Sequence, residues 1–518
     1  MKKLLVAVLA AIMTFGIAAL PAYAGEVNYE QPFDTGTQGS EKFRIPAILT
    51  LNNGSVLACA DKRYGHGADS PNNLDTLVAV SHNGYDNWKY ETVNHFDDYD
   101  SGFTDGKGAS FIDSAVIQSK ESGRVFIITT AFPSGGGVNT ANEGSGYIDI
   151  GGKKYAALTD KGFDPKADEP YSIEDYAYYI GDFSGGFASV FNRADSTKTE
   201  YSVDEEFNLY LNGDKIYVEQ AGSDKQVQQN VFYKSSDLSL YRTTYLWMRY
   251  SDDNAKSWSS PMLLNSQVKN EEEGFLGVCP GRGAVVEYKG KERILFTVYN
   301  SLKGKEKVSA IFSDDNGLTW NRSEETDYSV AAGKTSESQI INLPNGDLRM
   351  FSRNKGDFIA WADSSDGGQT WGKFRCDEEL KGRANCMSSF INLDKTIDGK
   401  AVVAASYPSD IYARRDGVIK IGLIDESNNE INWHEPYRLG NGTFAYSCLT
   451  QLSDGNVALL WENEDFHIQY TVFSVDDNGK LSEINGNDFE YTERESEHKA
   501  EDFFRNILYK LQKLFNVF

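Results

Sequence analysis

"SDDNGLTW", Ser313 to Trp320, recurs as "SSDGGQTW", Ser364 to Trp371, and both fit Ser-x-Asp-x-Gly-x-Thr-Trp in full. "SDDNAKSW" at Ser251 to Trp258 keeps Ser, Asp and Trp but carries Ala255 and Ser257. "SHNGYDNW" at Ser81 to Trp88 keeps only Ser and Trp, with Asn83 in the acidic slot. The physics of the box is that of a tight hairpin turn. Asp accepts backbone N–H bonds across the loop, Gly takes a backbone angle that a Cβ disfavours, and Trp packs beneath. Such boxes build repeated units and do no chemistry themselves.

Between the boxes run short segments rich in β-branched and aromatic residues, such as "SVLACA", "VFIITTAF", "RILFTVYN", "VIKIGLI" and "VALLWEN". Runs of four to eight apolar residues separated by Gly, Asn and Asp turns indicate antiparallel sheets. One turn motif per unit points to an all-β chain folded as a six-bladed β-propeller. The spacing between the first two boxes exceeds one blade or two, and composition shifts from about residue 144 to 233, where short hairpins such as "EFNLYLNGDKIYVEQAG" appear. The expected organisation is a propeller over 25–143 and 234–492, with a β-rich insertion subdomain at 144–233.

The ends read differently. Lys2 and Lys3, an apolar run from Leu4 to Leu20 and "AYA" before Gly25 predict a secretory signal peptide over 1–24, cleaved after Ala24. The expected location is outside the cell, with cell-surface association an option. In the tail, residues 493–518, Phe503, Phe504, Ile507, Leu508, Leu511, Leu514, Phe515 and Phe518 follow helical spacing opposite Arg505, Lys510 and Lys513. That predicts an amphipathic C-terminal helix over 493–518, whose stretch 501–518 docks on the propeller, self-associates or meets a membrane surface.

The formal net charge is −25, and loss of a leader carrying two lysines and no acid takes it to −27. A field of that sign repels nucleic acid and anionic lipid, so an anionic ligand requires a local cluster of arginines. Five cysteines without a Cys-x-x-Cys pair, and six histidines without ligand spacing, predict neither a disulfide framework nor a metal site, although Cys376 and Cys386 could bridge. No later apolar run is long enough to span a bilayer.

Arg44 lies in "EKFRIPAILT", among apolar residues that read as a strand. A guanidinium stays charged, and burying it unpaired is costly, so an anion should meet it. "FRIP" followed by these boxes resembles the bacterial exo-sialidases of glycoside hydrolase family 33, over roughly Glu41 to Val475, most closely those with an inserted β domain. The resemblance implies three arginines that bind the sialic acid carboxylate. They are Arg44, Arg353 after "SESQIINLPNGDLRMFS", and Arg414 in "ARRDGVIKIGL", favoured over Arg415 by alignment on Gly417. It also implies a tyrosine nucleophile, Tyr446 in "FAYSCLTQL", with Glu337 as its base. Asp69 in "ADKRYGHGADSPNNLD" is implied as acid/base, with Asp75 in competition. Arg63 and Asp113 are implied as substrate-binding residues.

The chemistry wants these types. Sialic acid bears a carboxylate on its anomeric carbon, so a carboxylate nucleophile would bring like charges together, and a neutral phenol avoids this. With an unperturbed pKa of about 10, the phenol needs a base within hydrogen-bond reach. The expected activity is cofactor-free exo-α-sialidase hydrolysis of sialylated glycoproteins, glycolipids or oligosaccharides with retention. The alternatives are an intramolecular trans-sialidase that releases an anhydro sugar, and a non-catalytic sialoside-binding lectin. On this reading the anion that Arg44 awaits is the substrate carboxylate and not a protein side chain.

Overall fold

In the computed structural model the described residues are 30–484, apart from 66, 101–106, 161–171, 303–304, 327–333, 384 and 464–466. The expected signal peptide over 1–24 and C-terminal helix over 493–518 lie outside the described residues.

Each box closes as its residue types require. Ser313 Oγ donates to Asp315 Oδ1 at 2.8 Å and accepts from Gly317 N at 2.9 Å, while Asp315 Oδ1 accepts from Thr319 N at 2.9 Å. Gly317 has φ +84°, and a Cβ there would lie 2.3 Å from the Phe126 ring, so this glycine serves both the turn and the packing. The second full copy repeats the pattern through Ser364, Asp366 and Gly368. In the decayed copies the serine hydroxyl still organises the turn. Ser251 accepts from Ala255 N, and Ser81 from Gly84 N, one residue earlier than in the full box.

The strands between boxes form β-propeller sheets. Lys42–Thr50, Val56–Arg63, Leu74–Ser81 and Lys89–Asn94 make one antiparallel meander, and Ser110–Gln118, Val125–Phe132, Tyr245–Ser251 and Met262–Leu263 make another. A parallel contact, Leu74 to Ser110, joins them, and Gly281–Arg282, parallel to Ser110–Gln118, completes one nine-stranded sheet. Sheets that begin at Phe275, Ser338, Ser389 and Ser447 follow. Their first strands pack side by side around an axis, and the ring closes where Ser447–Gln451 lies against Lys42–Thr50. Thr50 N donates to Thr450 Oγ1 at 3.0 Å across that closure, and Ile48, Val56 and Ala58 share a core with Leu452, Leu460 and Val472. Strands of this kind are buried on both faces, which is why 56–60 and 457–461 read as continuous apolar runs.

Between the Val125–Phe132 and Tyr245–Ser251 strands, the chain builds an eight-stranded sheet from Tyr147 to Leu240. It packs on the propeller through one shared core, where Leu158, Ile180, Val190 and Val203 meet Phe111, Tyr245 and Trp247. Arg249 donates to both carboxylate oxygens of Glu206 across this junction. All five cysteines are free thiols, so Cys376 and Cys386 do not bridge.

Candidate active site

Two hairpins place the central residues by register. Ser338–Asn342 pairs with Leu348–Ser352, and Ser338 opposite Ser352 leaves Glu337 opposite Arg353, whose N donates to Glu337 O at 2.9 Å. Ser447–Gln451 pairs with Val457–Glu462, and Ser447 opposite Trp461 leaves Tyr446 opposite Glu462, whose N donates to Tyr446 O. These pairs sit where the inner strands begin, at one end of the axis.

There the Tyr446 hydroxyl donates to Glu337 Oε1 at 2.5 Å. Arg353 Nη1 donates to Glu337 Oε2 at 2.5 Å and to Tyr446 Oη at 2.7 Å, while its Nε donates to Asn385 Oδ1. Burial pushes the Tyr446 pKa well above the ordinary range; Arg353 pulls it down and the Glu337 carboxylate pushes it up. The resting group is a neutral phenol aimed at a carboxylate, the arrangement of a base-activated nucleophile. Two more guanidiniums lie over its ring, Arg414 at 5.1 Å and Arg44 at 5.4 Å from the centroid. Arg415 is turned away, bound to Asn441 O, Asp416 and Asp410, which separates the two neighbours.

Arg44 and Asp113 both sit in strand bulges. Register shifts between Arg44 and Ala47, where Ile45 has φ +59°, and between Ile112 and Ala115, where Asp113 has φ +63°. A bulge re-aims a side chain and frees a backbone N–H. A carboxylate takes each freed group: Glu462 Oε1 accepts from Ile45 N at 2.7 Å, and Asp61 Oδ1 from Asp113 N at 3.2 Å.

The acid loop meets the same cluster. Asp69 Oδ1 accepts from Arg63 Nη1 at 2.6 Å and from Arg44 Nη1 at 3.3 Å, and its side chain is 62% exposed. Burial favours the neutral acid, but Arg63 and Arg44 outweigh it and hold this carboxyl below its ordinary range. Arg63 itself is fully buried and tied by Nη2 to Asp61 at 2.8 Å. Asp75 lies elsewhere, buried between Tyr64 Oη and His95 Nδ1. Burial, then the Asp61 and Glu337 charges, push Asp113 well above the usual carboxylate range, so it stands as a neutral acid able to donate.

A BNR repeat-like domain matches residues 223–459. The anhydrosialidase of Macrobdella decora is 32% identical over 86% of this chain and 59% of its own length. Sialidase B of Streptococcus pneumoniae is 28% identical over 84% and 64%. The crystal structure of an intramolecular trans-sialidase from Ruminococcus gnavus, in complex with oseltamivir carboxylate, superposes with a TM-score of 0.78 at 31% identity. That match covers 87% of this chain and 98% of the solved one. The chain belongs to the sialidase family. It spans about three fifths of the length of those two curated sialidases.

One expectation is corrected at this site. Glu462, 2% exposed, receives Arg44 Nε and Nη2 at 3.1 Å each, so a protein carboxylate already meets half of the fork. Arg44 Nη1 reaches Asp69 Oδ1 on the cleft side at 3.3 Å. Asp61 was likewise missed. The signal for Glu462 was present in the hairpin "YSCLTQLSDGNVALLWE", whose register places it opposite Tyr446. Asp61 faces Arg44 in the same way across Lys42–Thr50 and Val56–Arg63.

Proposed function

We propose that this chain is a sialidase that cleaves terminal sialic acid from glycoconjugates through a covalent bond to Tyr446. The observation that carries the reading is the Tyr446 hydroxyl, hydrogen-bonded to Glu337 Oε1 at 2.5 Å beneath three guanidiniums. Arg353, Arg414 and the Nη1 edge of Arg44 bind the substrate carboxylate with charge-assisted bonds and fix the ring above the phenol. Glu337 takes the phenol's proton as its oxygen attacks the anomeric carbon. Asp69 leaves Arg44, gains a proton and delivers it to the departing glycosidic oxygen. Arg63 stays in place as its tether, and Asp113 donates to an acceptor on the sugar's amide and 4-hydroxyl side.

The second half of the reaction has two fates. Attack by water, with Asp69 as base, gives free sialic acid with retention, the hydrolytic outcome expected from the sequence. Attack by the sugar's own hydroxyl gives an anhydro sugar. The names of two relatives at 31 and 32% identity, an intramolecular trans-sialidase and an anhydrosialidase, support this second reading.

A fluorogenic sialoside assay on wild type and Tyr446→Phe tests the enzyme reading, with NMR of the product to separate the fates. Turnover lost in the variant supports it. Sialoside binding without turnover in wild type would instead make the chain a lectin.

A further inference from the structure

Arg282 poses at the far end of the axis the question that Arg44 poses at the near one. The catalytic candidates stand at the beginnings of inner strands. The ends of those strands enclose a second cavity of about 210 Å³, lined among others by Thr50, Gln118, Arg282, Gln339, Asn342 and Asn392. From Arg44 to Thr50 the strand advances about 3.3 Å per residue, which puts this cavity roughly 20 Å from the candidate active site.

Its lining contains Arg282 and Lys120 but no Asp or Glu, in a chain of net charge −25. Among the described residues, Arg282 donates from Nη1 to Leu449 O at 3.3 Å and forms no ion pair. A guanidinium has five donors in a fixed fork, so one bond leaves most of them available at the wall of the cavity that Arg282 lines. Burial pulls its pKa down, and only the Cys448 thiol opposes that pull. A half-buried cation without a counter-charge carries a desolvation cost, and among the described residues no carboxylate pairs with it.

The neighbouring amides do not compete for a ligand. Gln339 Nε2 is bound to Pro280 O at 2.8 Å, Gln118 Nε2 to Gly123 O at 2.7 Å and Asn392 Nδ2 to Asn342 O at 2.9 Å. Asn342 Oδ1, by contrast, is a buried acceptor without a partner. The cavity thus offers one forked donor, and Asn342 in its wall carries an orphan acceptor.

We propose that this cavity is an anion-binding site, on the face opposite Tyr446, for a small protonated oxyanion of which hydrogenphosphate is the simplest. Arg282 donates to two ligand oxygens, and Asn342 Oδ1 accepts the ligand's O–H. The ion ties Gly281–Arg282 to Ser338–Asn342 at the axis and stabilises the ring of sheets.

The test is thermal unfolding of the full chain at constant ionic strength near neutral pH, with inorganic phosphate or sulfate replacing chloride. In wild type, phosphate is expected to raise Tm saturably by roughly 2–4 °C. Sulfate, which carries no proton at that pH, is expected to give a smaller rise. Arg282→Gln removes this rise while sialoside turnover is unchanged. Any stabilisation owed to the arginines around Tyr446 persists in that variant, so the difference between the two proteins is the reading. Equal shifts in both, or no shift in wild type, overturn the proposal. Should Arg282→Gln fail to fold, Arg282→Lys keeps the charge and loses the fork. It is expected to bind phosphate at least tenfold more weakly, and an unchanged midpoint overturns the proposal.

Discussion

Glu337 Oε1 accepts the hydroxyl proton of Tyr446 at 2.5 Å, while Arg353 Nη1 reaches both the Glu337 carboxylate and the phenol oxygen. One cation therefore faces the proposed base and the proposed nucleophile together. As the proton passes to Glu337, negative charge moves onto the phenol oxygen, and Arg353 is already in place to meet it. Burial keeps the phenol neutral until that transfer occurs.

Arg44 divides its fork between Glu462 and Asp69. Arg44→Lys keeps the charge near Glu462 but loses the edge that faces the cleft, so kcat/KM for a sialoside should fall roughly 10²-fold while the fold remains. Glu462→Ala acts differently, because it strands a buried guanidinium and the Ile45 N–H. It should cost about 3–5 kcal/mol in urea unfolding. A Glu462→Ala protein as stable as wild type would contradict this division.

Asp113 is held as a neutral acid by burial and by the charges of Asp61 and Glu337. An amide can replace a neutral carboxyl as donor, so Asp113→Asn should keep much of the wild-type kcat/KM, whereas Asp113→Ala should lose about tenfold or more. Equal losses in the two variants would mean that the carboxylate form is the working one.

His95 carries the pH dependence that the structure states most directly. Burial opposes its charge, but hydrogen bonds to Asp75 at 2.8 Å and Asp97 at 3.0 Å outweigh it and push the pKa up to about 10. A base raised on folding stabilises the native state fully below its unfolded pKa of about 6.5, and that contribution is lost as pH rises through about 10. Stability of the wild type should therefore decline across this window relative to His95→Gln, as read by denaturant unfolding at stepped pH. Parallel pH profiles would contradict the assignment.

Much of this was legible because it is local. A box such as Ser313 to Trp320 carries its own hydrogen-bond acceptors and its own glycine, and Glu337 and Arg353 lie on one hairpin. What the sequence hid depends on distant strands meeting at the axis. Glu462 is 418 residues from the guanidinium that it binds. The left-handed backbone at Ile45, a β-branched residue, follows from a bulge whose N–H a carboxylate captures across the ring closure. No neighbour in sequence signals that. Asp69 shows a further limit: its loop position is readable, but its resting contact with Arg44 and Arg63 is a property of the assembled cleft.

The account rests on Tyr446 as the atom that bonds to the sugar, and trapping that bond tests it most directly. A 2,3-difluoro sialic acid slows departure from the enzyme, and digestion followed by mass spectrometry locates the attached sugar. The expected result is time-dependent inactivation with one sialyl adduct on the peptide that contains Tyr446, and no adduct in Tyr446→Phe. A sialidase that turns over its substrate yet carries the adduct on another residue, or on none, would contradict the account.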